Sequence, residues 1–169
     1  RYLCSDVEYV NAKMSTLGAE IEVEDTVVAT LIFNNGSIGT LEVTTAARPN
    51  DYEASLSLVC EKGMAQIGGI AVNELQEYSI DNSECHKFSE DFNNDVYGKG
   101  HFHIYNEIVN VYFKNKKFII TQKDSINTLK LLNAFYVSDE KRQWVRVKDG
   151  YESSRLGKIN EDLAKIYRI

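Results

Sequence analysis

Residues 25–45, DTVVATLIFNNGSIGTLEVTT, decide the fold of this chain. They read as two strands joined at Asn35-Gly36, because a two-residue hairpin loop needs positive φ at both central positions. Asn and Gly adopt that conformation at the least steric cost. The register predicted from such a loop sets Phe33 opposite Ile38, Leu31 opposite Thr40 and Ala29 opposite Glu42. One face then carries Val27, Ala29, Leu31, Phe33 and Ile38, and the other carries Val28, Thr30, Ile32, Leu41 and Val43. Both faces are largely apolar, so the ribbon is expected inside a sheet covered on both sides.

Working outward, residues 7–17 (VEYVNAKMSTL) alternate Val10, Ala12 and Met14 with polar neighbours, the pattern of a half-buried strand. After the hairpin, Pro49 and Asn50-Asp51 break the ladder. Residues 53–60 (EASLSLVC) alternate again, which places Cys60 in the core. Residues 64–67 and 70–80 supply further strands, the last nearer an edge. Residues 81–100 lose all periodicity and form a polar connection, longer than most within a domain. Helical spacing begins at His101, with Phe102, Tyr105, Ile108, Val109 and Tyr112 recurring at steps of three and four. A short strand at 118–121 is expected next. A second helix over about 124–138 follows, capped by Asp124 or Ser125, with Ile126, Leu129, Leu132, Phe135 and Tyr136 as its apolar contacts. Residues 144–147 should return to the sheet edge, and 156–169 should form an amphipathic helix. Strands first and helices afterwards predict a single α+β domain over 1–169, an open-faced, mainly antiparallel sheet with helices on one face.

The formal net charge of −6, with no basic stripe, argues against nucleic acid and anionic membrane as partners. The apolar runs are too short to span a bilayer, and no signal-peptide pattern opens the chain. Arg1 in place of Met points to processing or to a piece of a longer chain. Cys4, Cys60 and Cys85 share no ligand spacing, which suits reduced thiols in the cytoplasm.

The search for chemistry is mostly one of exclusion. His101 and His103 are two apart and fall on different sides of a helix, so no metal site is expected there. Gly98-Lys99-Gly100 precedes a helix, but residue 103 is His where a dinucleotide fingerprint needs Gly, and no βαβ unit surrounds it. No nucleophile elbow is present, and no catalytic residue is expected in this chain. What remains is His101 at a helix start, with Tyr105 one turn on. Backbone N–H groups there attract anions, and an imidazole with a phenol adds donors. The alternative is that His101 caps the helix and Tyr105 packs in the core.

The ordered set DTVVATLIFNNGSIGTLEVTTAARPND, LSLVCEKGMAQIGG, GKGHFHIYNEIV and DSINTLKLLNAFYVSDEKRQWVRV resembles the carboxyl-terminal domain of Gfo/Idh/MocA oxidoreductases over about residues 7–147. The Arg48-Pro49 corner and the Gly100-His101 helix start look most like the UDP-N-acetylglucosamine and UDP-N-acetylglucosaminuronate 3-dehydrogenase branch, which serves lipopolysaccharide synthesis. The resemblance implies a glyceraldehyde-3-phosphate-dehydrogenase-like sheet whose open face makes homo-oligomer contacts. It implies NAD or NADP in the full-length protein, bound mainly by an amino-terminal Rossmann domain outside these residues, and no cofactor for this chain alone. The family's Glu-Lys-Pro and Asp-x-x-x-His motifs do not occur in these residues, so the chain alone should be inactive. It further implies a nucleotide-sugar substrate contacted by Arg48 and His101, with Tyr105 and Asn50 behind them. Two alternatives stand beside it: a non-catalytic binding or assembly module of the same fold, and a dehydrogenase for another polyol such as inositol or a free hexose.

Overall fold

The computed structural model describes residues 1–92 and 96–162. The chain divides into two compact units, residues 1–47 with 120–169, and residues 48–119. The α+β class holds, with antiparallel strands throughout. The single expected sheet, however, is two sheets, one in each unit.

In the first unit the sheet order is β3-β2-β1-β7, formed by β1 (Val7–Ser15), β2 (Thr26–Phe33), β3 (Ile38–Thr44) and β7 (Val145–Arg146). The hairpin forms where the sequence places it, but its register differs by one residue. Ile32 pairs with Ile38, Ala29 with Leu41 and Val27 with Val43. The loop is Asn34-Asn35-Gly36: the Phe33 amide donates to the Ser37 carbonyl and the Gly36 amide to the Phe33 carbonyl, both at 2.9 Å. Only Gly36 has positive φ, at 84°, and the Asn35 side chain accepts from the Ser37 amide at 3.1 Å. A three-residue loop needs one left-handed residue where the two-residue loop needs two. Because side chains alternate, the slip turns every β3 side chain over. Leu41 therefore joins the core and Ile38 projects from the sheet, 78% exposed.

The core lies on one face only. Val7, Val10, Ala12, Ala29, Leu31, Phe33 and Val145 pack beneath Ala134 and Val137 of α2 (Gln122–Lys141). The opposite face is open, with Val28 and Ile38 exposed on it, which corrects the expectation of cover on both sides. The α2 stripe facing the sheet runs through Leu131, Ala134, Phe135 and Val137, while Ile126, Leu129 and Leu132 are exposed. Small Ala134 and Ser138 let the helix approach the strands closely, a contact the bulkier stripe cannot make. The helix starts earlier than expected because Thr121 is its N-cap, with Asp124 completing a reciprocal capping box from the third position.

Strand β7 covers only Tyr9 and Val10 of β1, which leaves the rest of that edge to be satisfied otherwise. Side chains of α2 do this: the Ala12 amide donates to Ser138 Oγ at 3.0 Å and the Met14 amide to Asp139 Oδ1 at 3.1 Å. Asp139 Oδ2 accepts from Arg155 at 2.6 Å, and Arg155 Nε lies 2.7 Å from Glu24 Oε1 as an ion pair. Nearby, buried Asp25 accepts from the amides of Leu17, Gly18 and Ala19, closing the β1–β2 connection.

The second unit has the order β4-β5-β6, from β4 (Leu56–Cys60), β5 (Gly63–Gly68) and β6 (Glu74–Tyr78). Cys60 is exposed, against expectation, because it ends an edge strand opposite Gly63. The buried thiol is Cys85, on a 3-10 helix at Asn82–Phe88 inside the stretch read as plain loop. Residues 118–121 form no strand. Of the expected carboxyl-terminal helix over 156–169, residues 156–160 form a turn and irregular chain instead, 161–162 are helical, and 163–169 lie outside the described residues.

Candidate functional site

All four sequence-derived candidates lie in the second unit. His101 and Tyr105 stand one turn apart on α1 (Gly100–Lys114). Arg48 and Asn50 are exposed on the segment between β3 and β4, where the Arg48-Pro49 peptide bond is cis. Arg48 also makes a polar or electrostatic contact within the chain.

The chain before α1 is built as a tether. Asn73, in the β5–β6 connection, accepts the Glu90 amide at its carbonyl (2.9 Å) and donates its side-chain amide to the Glu90 carbonyl at 2.6 Å. The Glu90 carboxylate then takes Lys99 Nζ at 2.8 Å. Lys99's hydrogen bond and charge, with a weaker contribution from His103, hold the Glu90 carboxyl below the usual glutamate range. Lys99 is also the helix N-cap, so the tether fixes where α1 begins.

Lys99 caps without a side-chain hydrogen bond, and the first turn carries no acidic residue. The leading amides of α1 therefore keep their donor capacity and their partial positive charge. His101 is exposed, and its ring sits 6.2 Å from the Tyr97 ring, tilted by 50°. Tyr105 is 68% exposed. Neither half of the alternative reading holds, since His101 is not the cap and Tyr105 is not in the core. The helix buries none of its side chains. Chemically, the helix start offers amide, imidazole and phenol donors suited to an anionic, hydroxyl-rich ligand. Sequence reading missed Tyr97 and the Glu90–Lys99 pair; the four-residue spacing from Tyr97 to His101 is the signal that could have found the first. No cluster of three or more potential metal ligands occurs among the described residues. No helix among them is long and apolar enough to cross a membrane.

The first unit is thus an open antiparallel sheet with a helix on one face, and the second carries a small three-stranded sheet. Residues 1–66 match the family model described as the GFO/IDH/MocA C-terminal domain. Among solved structures, the chain is similar to the WlbA dehydrogenase from Bordetella pertussis in complex with NADH and UDP-GlcNAcA. That match has 30% identity and a TM-score of 0.74, covering 86% of this chain and 43% of that one. The WlbA dehydrogenase from Chromobacterium violaceum, in complex with the same two ligands, matches at 30% identity and a TM-score of 0.72, with 86% and 41% coverage. A levoglucosan dehydrogenase in complex with NADH and L-sorbose shares the fold, with 18% identity, a TM-score of 0.67, and 87% and 46% coverage. The chain thus spans less than half the length of these proteins. No curated protein matches it.

Proposed function

We propose that residues 1–169 are the substrate-side and oligomerisation portion of an NAD-dependent nucleotide-sugar dehydrogenase acting in surface-polysaccharide or lipopolysaccharide synthesis. The observation that carries this reading is the 30% identity, over 86% of the chain, to a dehydrogenase bound to NADH and UDP-GlcNAcA. Within residues 1–169 no Gly-x-Gly-x-x-Gly follows a strand, so this chain offers no cradle for a dinucleotide. In this reading NAD, held by residues outside 1–169, supplies the hydride acceptor. The present chain binds and orients the sugar nucleotide, an entropic contribution to rate. The Arg48 guanidinium and the first-turn amides of α1 suit the ligand's negative charges, with His101 beside them. Tyr105 and Asn50 suit its hydroxyls. The open sheet face, with Val28 and Ile38 exposed, supports a homo-oligomer, and three free cysteines fit the cytoplasm.

The test is the reading frame upstream of Arg1 and the protein it encodes. We expect a strand–Gly-x-Gly-x-x-Gly–helix, a Glu-Lys-Pro and an Asp-x-x-x-His there. The whole protein should form NADH with UDP-GlcNAcA but not with inositol, about tenfold or more slowly in Arg48→Ala and His101→Ala. A frame lacking those motifs, or a whole protein that oxidises inositol in preference, would overturn the proposal.

A further inference from the structure

The first unit holds a cleft of about 300 Å³ at the end of its sheet where β1 begins, and its charge runs against that of the chain. Its walls bring four cations, Arg1, Lys130, Arg146 and Lys148, together with only two carboxylates, Asp6 and Glu8. Both carboxylates are already engaged. Arg1 Nε donates to Asp6 Oδ1 at 2.9 Å, and Arg146 Nη2 donates to Glu8 Oε1 at 2.6 Å. Lys130 and Lys148 have no partner among the described residues, and Arg146 keeps a buried Nε–H without an acceptor. Arg1 Nη2 also lies 3.8 Å from the Asp124 carboxylate as an ion pair, so the excess positive charge of the cleft rests on the two lysines, in a chain whose formal net charge is −6.

The arrangement has more than charge to recommend it. The two pairs hold both arginines in place without cancelling the lysines. The Asn127 side chain adds a further polar group at the rim, and Val7, Leu131 and Val147 supply apolar wall. Its volume is at the small end of ligand sites, which excludes a whole dinucleotide and suits a compact molecule. Several convergent donors and few acceptors suit a doubly charged group better than a neutral one.

We propose that this cleft binds a small organic dianion, a phosphate monoester or a dicarboxylate, held chiefly by Lys130 and Lys148. The site uses none of Arg48, Asn50, His101 or Tyr105, so it stands or falls apart from the dehydrogenase reading. The test is calorimetric titration of the 169-residue chain with inorganic phosphate and with malonate, each against sodium chloride at matched ionic strength. Saturable one-to-one binding is expected, weakened about tenfold in Lys130→Gln/Lys148→Gln, as loss of two charge-assisted contacts requires. Both lysines are exposed, so the variant should keep the wild-type unfolding midpoint, which Trp144 fluorescence checks. Tighter phosphate binding identifies the monoester class, and tighter malonate binding the dicarboxylate class. No saturation beyond chloride, or equal affinity in the double variant, overturns the proposal.

Discussion

Replacing Asp139 by Ala tests how the first unit closes the edge of its sheet. The Asp139 side chain is 2% exposed and serves three donors: the Met14 amide, Lys13 Nζ and Arg155. Burial pushes its carboxyl up, but hydrogen bonds from Lys13, Arg155 and the Met14 amide outweigh burial and hold it below the usual aspartate range. Alanine orphans the buried Met14 N–H, at about 1–3 kcal/mol. It also strips a partner from the Arg155 guanidinium. Complete burial of that pair would put the total loss at about 3–5 kcal/mol. Arg155 is 24% exposed and retains Glu24, so the whole change should cost about 3–4 kcal/mol. Asn keeps an acceptor for Met14 while losing the charge, and should cost about 1–2 kcal/mol. Lys13 is 76% exposed, so Lys13→Ala should cost about 0.5 kcal/mol or less.

The chain has a built-in probe for this comparison. Its single tryptophan, Trp144, lies in the same unit, next to Val145 in the core. Urea unfolding followed by its fluorescence reads that unit and not residues 48–119. The expected order of loss is Asp139→Ala, then Asp139→Asn, then Lys13→Ala, with the urea slope unchanged. A loss below about 1 kcal/mol for Asp139→Ala would refute the claim that α2 side chains stand in for a missing strand. So would a loss for Lys13→Ala equal to it, because the exposed ion pair would then be the source.

Two further outcomes follow from the same geometry. A methyl at Gly36 would meet nothing within 4 Å, yet φ is +84°, so Gly36→Ala should cost about 1–2 kcal/mol from the backbone alone; a neutral result in the urea assay would contradict the three-residue loop. Burial pushes the Asp25 carboxyl up, but the amides of Leu17 and Gly18, the Thr26 hydroxyl and the Ala19 amide bring it below its ordinary value. The unfolded chain therefore binds more protons in acid. Asp25's contribution is complete above its unfolded pKa of about 3.9 and is lost as pH falls through the lower folded value. Thermal unfolding scans from pH 6 to 2 should show a steeper acid decline in wild type than in Asp25→Asn, and identical slopes would count against the assignment.

Much of this architecture is legible in short windows, because alternation and helical spacing are local signals. Strand β1, the hairpin and both helices arise where the periodicity places them. The hairpin register does not, for a specific reason: Asn34-Asn35-Gly36 fits a two-residue and a three-residue loop almost equally. The choice falls to the β3 face carrying Leu41 and Val43, which only the partner strands can make apolar. The N-cap of α2 was missed by a few residues because Thr121 and Asp124 cap each other, and either alone looks like the start. The division into two sheets depends on contacts across the chain, which no local pattern around Pro49 reports.

The candidate site divides along the same line, and this makes it testable. The His101–Tyr105 pairing is a helical spacing and was readable; the Glu90–Lys99 pair and the cationic cleft join residues far apart in sequence and were not. Long-range polar ties, from Asp139 to Met14 and from Arg155 to Glu24, hold the first unit. By contrast, Arg48, Asn50, His101 and Tyr105 are all exposed and lie in the second unit, where Asn73, Glu90 and Lys99 anchor the chain before α1. Replacing an exposed side chain typically moves stability by about 0.5 kcal/mol or less. A fall in sugar-nucleotide binding in Arg48→Ala or His101→Ala, with the unfolding transition of the whole chain followed by far-ultraviolet circular dichroism unmoved, therefore reports a lost ligand contact and not a loosened fold. The same separation holds in reverse: Asp139→Asn should shift the Trp144 transition while leaving the donors at the start of α1 in place.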